Sequence, residues 1–255
     1  MLHSLDLAGR LALVTGSSRG LGWAFAQGLA AGGARVLLHG RDREALQARA
    51  ADLTAQGTPA AGTLAFDVTD GPATLAAFET VAAEHGPLGI LVNNAGVIGR
   101  APALETSDAE WHRVIEADLS ACFRLSREAI RQMQPQGWGR VIMVSSIMGR
   151  VARPTVPAYV TAKHGLIGLV RALAVEFAAS GITVNAIGPG YFPTEANQTV
   201  RDDPAFHDWV AQRTPAGRWG DPAELQGAAV FLASDAASYV TGQVLMVDGG
   251  LTAAM

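Results

Sequence analysis

Cysteine is almost absent: Cys122 stands alone among 255 residues, which excludes an internal disulfide framework and a cysteine-cluster metal site. Histidine is sparse as well. The six, at 3, 39, 85, 112, 164 and 207, never fall at i,i+4 or in H-E-x-x-H, so no metal site is expected. Charged residues are 16% of the chain, below the usual ~25%. A formal net charge of −4 without a basic run argues against a dedicated nucleic-acid binder. No apolar stretch reaches the ~18 residues that would suggest a membrane span, and MLHSLDLAGR lacks the basic and apolar regions of a secretory signal. The expectation is a soluble cytoplasmic protein with neither a membrane nor a nucleic-acid partner.

What is present is apolar residue and glycine: 49% hydrophobic, with 29 glycines. At roughly 150 residues per domain the length lies between one domain and two. Short β-branched runs alternate with longer Ala/Leu patterns, as βαβ units require. Strands are predicted at 10–16, 34–40, 62–68, 89–94, 139–146, 182–188 and 243–249, and helices at 20–31, 42–56, 71–85, 108–133, 158–180, 204–213 and 222–234. This pattern predicts an α/β fold: one Rossmann-like, doubly wound parallel sheet of seven strands, helices on both faces, spanning 1–255. The segments 147–157 and 189–203 follow strands and exceed the usual ~2–6 residues of such connections, so they are candidate walls of a site.

The first strand runs into Thr15-Gly16-Ser17-Ser18-Arg19-Gly20-Leu21-Gly22 and then an Ala-rich helix. Glycines permit a tight turn close to a pyrophosphate, and the helix N-terminus offers N–H groups to it. The spacing T-G-x-x-x-G-x-G, Asp67-Val68, Asn93-Asn94-Ala95-Gly96, Ser146 thirteen residues before Tyr159-x-x-x-Lys163, and Pro189-Gly190 all occur in order. Together they resemble the short-chain dehydrogenase/reductase family over the whole chain. The resemblance implies a cofactor half of about 1–145, a catalytic and substrate half of about 146–255, and a homotetramer. It implies cofactor contacts from Gly16, Ser18, Arg19, Gly20, Leu21, Gly22, Asp67, Val68, Asn93, Ala95, Gly96, Pro189, Gly190 and Thr194, with Tyr159 and Lys163 shared between cofactor and catalysis.

The tip of the second strand, His39-Gly40-Arg41, carries no acid for a ribose 2′-hydroxyl. Asp42, about twenty residues after Gly22, suits the cap of the next helix better. Arg19 and Arg41 could grip a 2′-phosphate, which favours NADP over NAD.

Tyr159 and Lys163, one helical turn apart, share a face. A phenol is a poor base at neutral pH, and a neighbouring ammonium favours its ionised form. Tyr159 is the expected proton carrier, and Ser146, with Ser145 as its rival, the hydrogen-bond partner of the reacting oxygen. Asp118 departs from the family pattern, which has asparagine there; its carboxylate would stabilise Lys163 while opposing a tyrosinate. Ala152–Val156, Ile187–Phe192, Arg213–Gly220 and Val247–Ala253 resemble the gluconate 5-dehydrogenase group. The expected reaction is hydride transfer between NADP and a sugar acid or polyol, with Arg100 and Arg153 facing the substrate. A 3-oxoacyl-thioester reductase and a cofactor-binding scaffold without catalysis are the alternatives.

Overall fold

The computed structural model describes residues 3–254. Seven strands form one parallel sheet: β1 (Leu11–Val14), β2 (Arg35–Gly40), β3 (Gly62–Ala65), β4 (Ile90–Asn93), β5 (Gly139–Val144), β6 (Ile182–Pro189) and β7 (Val244–Val247). Their order is β3-β2-β1-β4-β5-β6-β7, and every neighbouring pair is parallel. The direction of winding reverses between β1 and β4. In open sheets of this kind ligands occupy the crevice at that reversal, beyond the carboxyl ends of the strands.

Strand side chains alternate between the two faces, and the core divides accordingly. Ala12, Val14, Val36, Leu38, Ile90, Val92 and Ile142 face one cluster, which includes Phe25 and Leu29 from α1 (Gly20–Ala31) and Ala229 and Leu232 from α9 (Gln226–Ala233). Leu11, Leu13, Leu37, Leu91, Val141 and Met143 face the other. That side is covered by α3 (Gly71–His85), α5 (Ala121–Met133) and α6 (Pro157–Phe177), through Phe78, Leu125 and Leu166. The helix α1 has no charged residue because it is enclosed: a Cβ on Gly28 would lie 2.7 Å from the Gln226 side chain.

The remaining helices are α2 (Arg43–Ala55), α4 (Asp108–Ile115), α7 (Gln198–Arg201) and α8 (Pro204–Arg213). Asp42 caps α2, accepting from the Glu44 and Ala45 amides at 3.0 and 3.1 Å, as its position suggested. One expectation needs correction. The single helix predicted over 108–133 is interrupted at Glu116–Ser120 by a π turn, with Ala121 N–H bonding to the Glu116 carbonyl. Such turns recur at functional sites. This one carries Asp118.

Candidate active site

The cofactor end begins where β1 stops. Thr15 is fully buried, and its hydroxyl accepts from the Asn94 and Ala95 amides at 2.9 and 3.0 Å. The Asn94 side-chain amide donates in return to the carbonyls of Thr15 and Gly16 at 2.9 and 3.2 Å. The loops after β1 and β4 are thereby tied across the reversal point. Gly16 and Gly20 have φ of +64° and +56°, values that side-chain-bearing residues rarely adopt.

At the start of α1, Arg19 makes no side-chain cap, whereas α2, α3, α4 and α8 are capped by Asp42, Asp70, Ser107 and Asp203. The first-turn amides of α1 have no intrahelical acceptors and lie beside the cavity, the arrangement an anion needs.

The cavity measures about 750 Å³ and runs past the carboxyl ends of the strands. It gathers Gly16, Ser18, Arg19, Gly20, Leu21, Arg41, Asp67, Val68, Ala95 and Gly96 from the predicted cofactor set. Ser146, Tyr159, Lys163, Asp118, Pro189, Gly190, Thr194, Arg100 and Arg153 also line it.

Two predicted residues stand behind the wall instead. Gly22 is required for packing, since a Cβ there would fall 2.2 Å from the Gly16 carbonyl oxygen. Asn93 is buried, and its side-chain amide donates to Ser126 Oγ at 2.9 Å. The lining residues His39, Phe66, Asn94 and Tyr191 were not singled out from sequence. Only the strand-tip position of His39 and the Asn-Asn pair could have pointed to two of them.

Past the tip of β2, Arg41 lies 3.7 Å from Asp67, with the arginine largely exposed. Asp67 Oδ1 accepts from the Thr69 amide and hydroxyl at 2.9 and 2.7 Å. These bonds, with a smaller contribution from Arg41, hold the Asp67 carboxyl below its ordinary range.

At the other end, Lys163 is 5% exposed. Its ammonium donates to the Val144 carbonyl at 3.0 Å, pairs with Asp118 Oδ2 at 3.1 Å and lies 5.4 Å from the Tyr159 ring centroid. Asp118 Oδ1 accepts from the Val97 amide at 2.7 Å. Burial alone would lower the lysine's proton affinity, but Asp118 and then Tyr159 outweigh it, and the net shift is upward. Lys163 is held charged.

The two serines differ. Ser145 is buried, with Oγ 3.5 Å from the Lys163 carbonyl. Ser146 is less buried and caps the turn Ile147–Gly149, its Oγ accepting from Met148 N at 3.1 Å. That oxygen keeps its proton to give.

Behind Tyr191 and Arg153 in the cavity wall lies an aromatic cluster. Tyr191 packs against Phe206 and Trp219, each 5.6 Å between ring centroids, and Arg153 lies over Phe206 at 5.8 Å. Trp209 stacks on Phe206, whereas Trp138 sits away from the cavity between Arg10 and Arg140. The Ala101 amide donates to the Thr155 carbonyl at 2.9 Å, tying the loop of Arg100 to that of Arg153. Burial first, and then repulsion from Arg153, lower the proton affinity of Arg100. Two like charges held at one mouth favour an anionic ligand.

Comparison with known proteins agrees with this geometry. A family model described as enoyl-(acyl carrier protein) reductase matches residues 16–252. Gluconate 5-dehydrogenase of Gluconobacter oxydans (strain 621H) is 42% identical over 250 residues, covering 98% of this chain and 97% of its own. The 3-oxoacyl-[acyl-carrier-protein] reductase of Escherichia coli (strain K12) is 39% identical over 247 residues, covering 97% and 99%. The crystal structure of a gluconate 5-dehydrogenase from Burkholderia cenocepacia J2315 in complex with NADP and tartrate superposes with a TM-score of 0.96. It is 40% identical, with 100% of this chain and 99% of that chain covered. From the strand order, the glycine loop and these matches over nearly its whole length, the chain belongs to the short-chain dehydrogenase/reductase family.

Proposed function

We propose that this protein is an NADP-dependent oxidoreductase that interconverts a secondary alcohol and a ketone on a sugar acid, with gluconate and 5-keto-gluconate as the pair. One observation carries the reading. A single cavity joins the uncapped N-terminus of α1 to Ser146, Tyr159 and Lys163, and is lined as well by Arg100 and Arg153. The donor set fits the cofactor: amides of a helix terminus for phosphate, Arg19 and Arg41 for a 2′-phosphate, and Asp67 and Val68 for adenine. The NADP bound by the Burkholderia relative supports the choice.

The nicotinamide cofactor supplies or accepts the hydride. Tyr159 gives its hydroxyl proton to the ketone oxygen during reduction and takes one from the alcohol during oxidation. Ser146 donates a hydrogen bond to the same oxygen, where negative charge develops. Lys163 stabilises the ionised phenol and offers a hydrogen bond to the nicotinamide ribose. Asp118 and the Val144 carbonyl hold its ammonium in place. Thr194, which lines the cavity, would bind the carboxamide, and Arg100 and Arg153 would hold the substrate carboxylate.

The chain divides its work between a cofactor half of about 1–145 and a catalytic half of about 146–255. It acts in the cytoplasm as a homotetramer. The similarity to a 3-oxoacyl reductase supports a second reading, in which the ketone belongs to an acyl thioester. The paired arginines at the mouth favour the sugar acid.

Tyr159→Phe and Ser146→Ala test the chemistry. Each is expected to lower kcat by about 100-fold or more, while NADPH titrations stay near wild type. Turnover by Tyr159→Phe at the wild-type rate would contradict the assignment.

A further inference from the structure

The tip of β2 carries a side chain that the proposed chemistry leaves unused. His39 is 2% exposed, and its imidazole lies between two loops of the cofactor end. Nδ1 is 3.1 Å from the Gly16 amide nitrogen, and Nε2 is 3.1 Å from the Phe66 carbonyl oxygen. An amide N–H can only donate and a carbonyl can only accept. One form of the ring satisfies both: neutral, with its lone pair on Nδ1 and its proton on Nε2.

The main chain of the same residue reinforces the contact. The His39 carbonyl accepts from Ser17 N at 2.8 Å, and its amide donates to Ser17 Oγ at 2.9 Å. The His39 and Phe66 rings lie 4.2 Å apart, and Phe66 N donates to the Gly40 carbonyl at 3.2 Å. Gly16 opens the loop that leads into α1, and Phe66 immediately precedes Asp67 and Val68. The ring thus bridges the two walls that the adenosine half of a dinucleotide would touch. Burial lowers the imidazole pKa to about 4, so the bridge stays neutral at ordinary pH.

We propose that His39 is a positioning residue for the adenosine half of NADP, its ring fixing the separation between the Gly16 loop and the Asp67–Val68 wall. This rests on the cofactor reading above. With the Gly16 and Ser17 amides committed to His39, the phosphates meet the first-turn amides of α1 instead. Removing the ring would leave the Gly16 amide and the Phe66 carbonyl to find other partners, and the loop would lose its set distance from the wall.

The test compares His39→Leu, which loses both ring bonds, with His39→Asn, whose Oδ1 can take over the Gly16 bond alone. NADPH is titrated by its fluorescence and adenosine 2′,5′-bisphosphate by calorimetry. The leucine variant is expected to bind both at least tenfold more weakly, the asparagine variant to recover part of the loss, and turnover to lose KM for NADPH before kcat. Nitrogen NMR of the histidine-labelled protein without ligand should show the proton on Nε2. Unchanged affinity in both variants, or a proton on Nδ1, would overturn the role. Should the leucine variant not fold, the asparagine variant and the NMR spectrum still decide. A wild-type protein that binds neither ligand would instead overturn the cofactor reading itself.

Discussion

Lys163 keeps its charge at a place where burial alone would weaken its hold on the proton, because the Asp118 carboxylate lies 3.1 Å from its ammonium. The same carboxylate opposes a second negative charge on Tyr159. Asp118→Asn removes the carboxylate that keeps Lys163 protonated, so Lys163 titrates lower and the alkaline limb of alcohol oxidation moves to lower pH. A pH–rate profile that does not move would show that Asp118 acts through geometry alone. His39 has the opposite linkage. Its folded pKa of about 4 lies below the unfolded ~6.5, so the unfolded chain binds more protons between these values. Stability is therefore full above about pH 6.5 and falls by about 3 kcal/mol as pH drops to about 4. Urea melts of wild type and His39→Asn across that window should show a shallower acid decline in the variant. The Tyr–Lys spacing and the serine offset were legible as sequence, whereas the His39 bridge was not. Its two partners lie 23 and 27 residues away and meet it only once three strands are aligned.

At the scale of elements, the π turn at Glu116–Ser120 shows what periodicity can hide. Val114, Ala117, Asp118, Ala121, Cys122 and Leu125 are all buried, and their spacing fits an uninterrupted helix. The wider turn leaves no mark on an apolar repeat, so a single helix was the natural reading. Asp118 sat in that stripe as the one charged residue, the sole hint that the segment served something besides packing. The two long connections were visible as walls because they followed strands, but not the bond from Ala101 to Thr155 that joins them. Thr155 adopts φ +70°, unusual for a β-branched residue and worth about 1–3 kcal/mol of strain. That strain is borne at the contact that ties the loop of Arg100 to that of Arg153. If both hold a carboxylate, Arg100→Ala and Arg153→Ala should each raise KM for 5-keto-gluconate about 10- to 100-fold, from a charged hydrogen bond of ~1.5–3 kcal/mol. Their KM for an uncharged ketone should hold. An equal loss on both substrates would remove the carboxylate from the account.

Across the whole molecule, the strand–helix alternation carried nearly all of the architecture, because a parallel sheet buried on both faces leaves continuous apolar runs. Low overall charge has a visible counterpart: among the described residues eight large hydrophobics remain exposed, Phe123 on α5 and Val175 on α6 among them. If these helices pack against partner subunits, light scattering should report four chains, and Phe123→Glu combined with Val175→Glu should lower that number. Four chains in the double variant would move the interface elsewhere. The direct measurement is NADPH consumption by the purified protein with 5-keto-gluconate, acetoacetyl thioester and a simple uncharged ketone, each repeated with NADH. The highest kcat/KM is expected for 5-keto-gluconate with NADPH; a preference for the thioester, or binding of NADPH without turnover on any of them, would overturn the sugar-acid assignment.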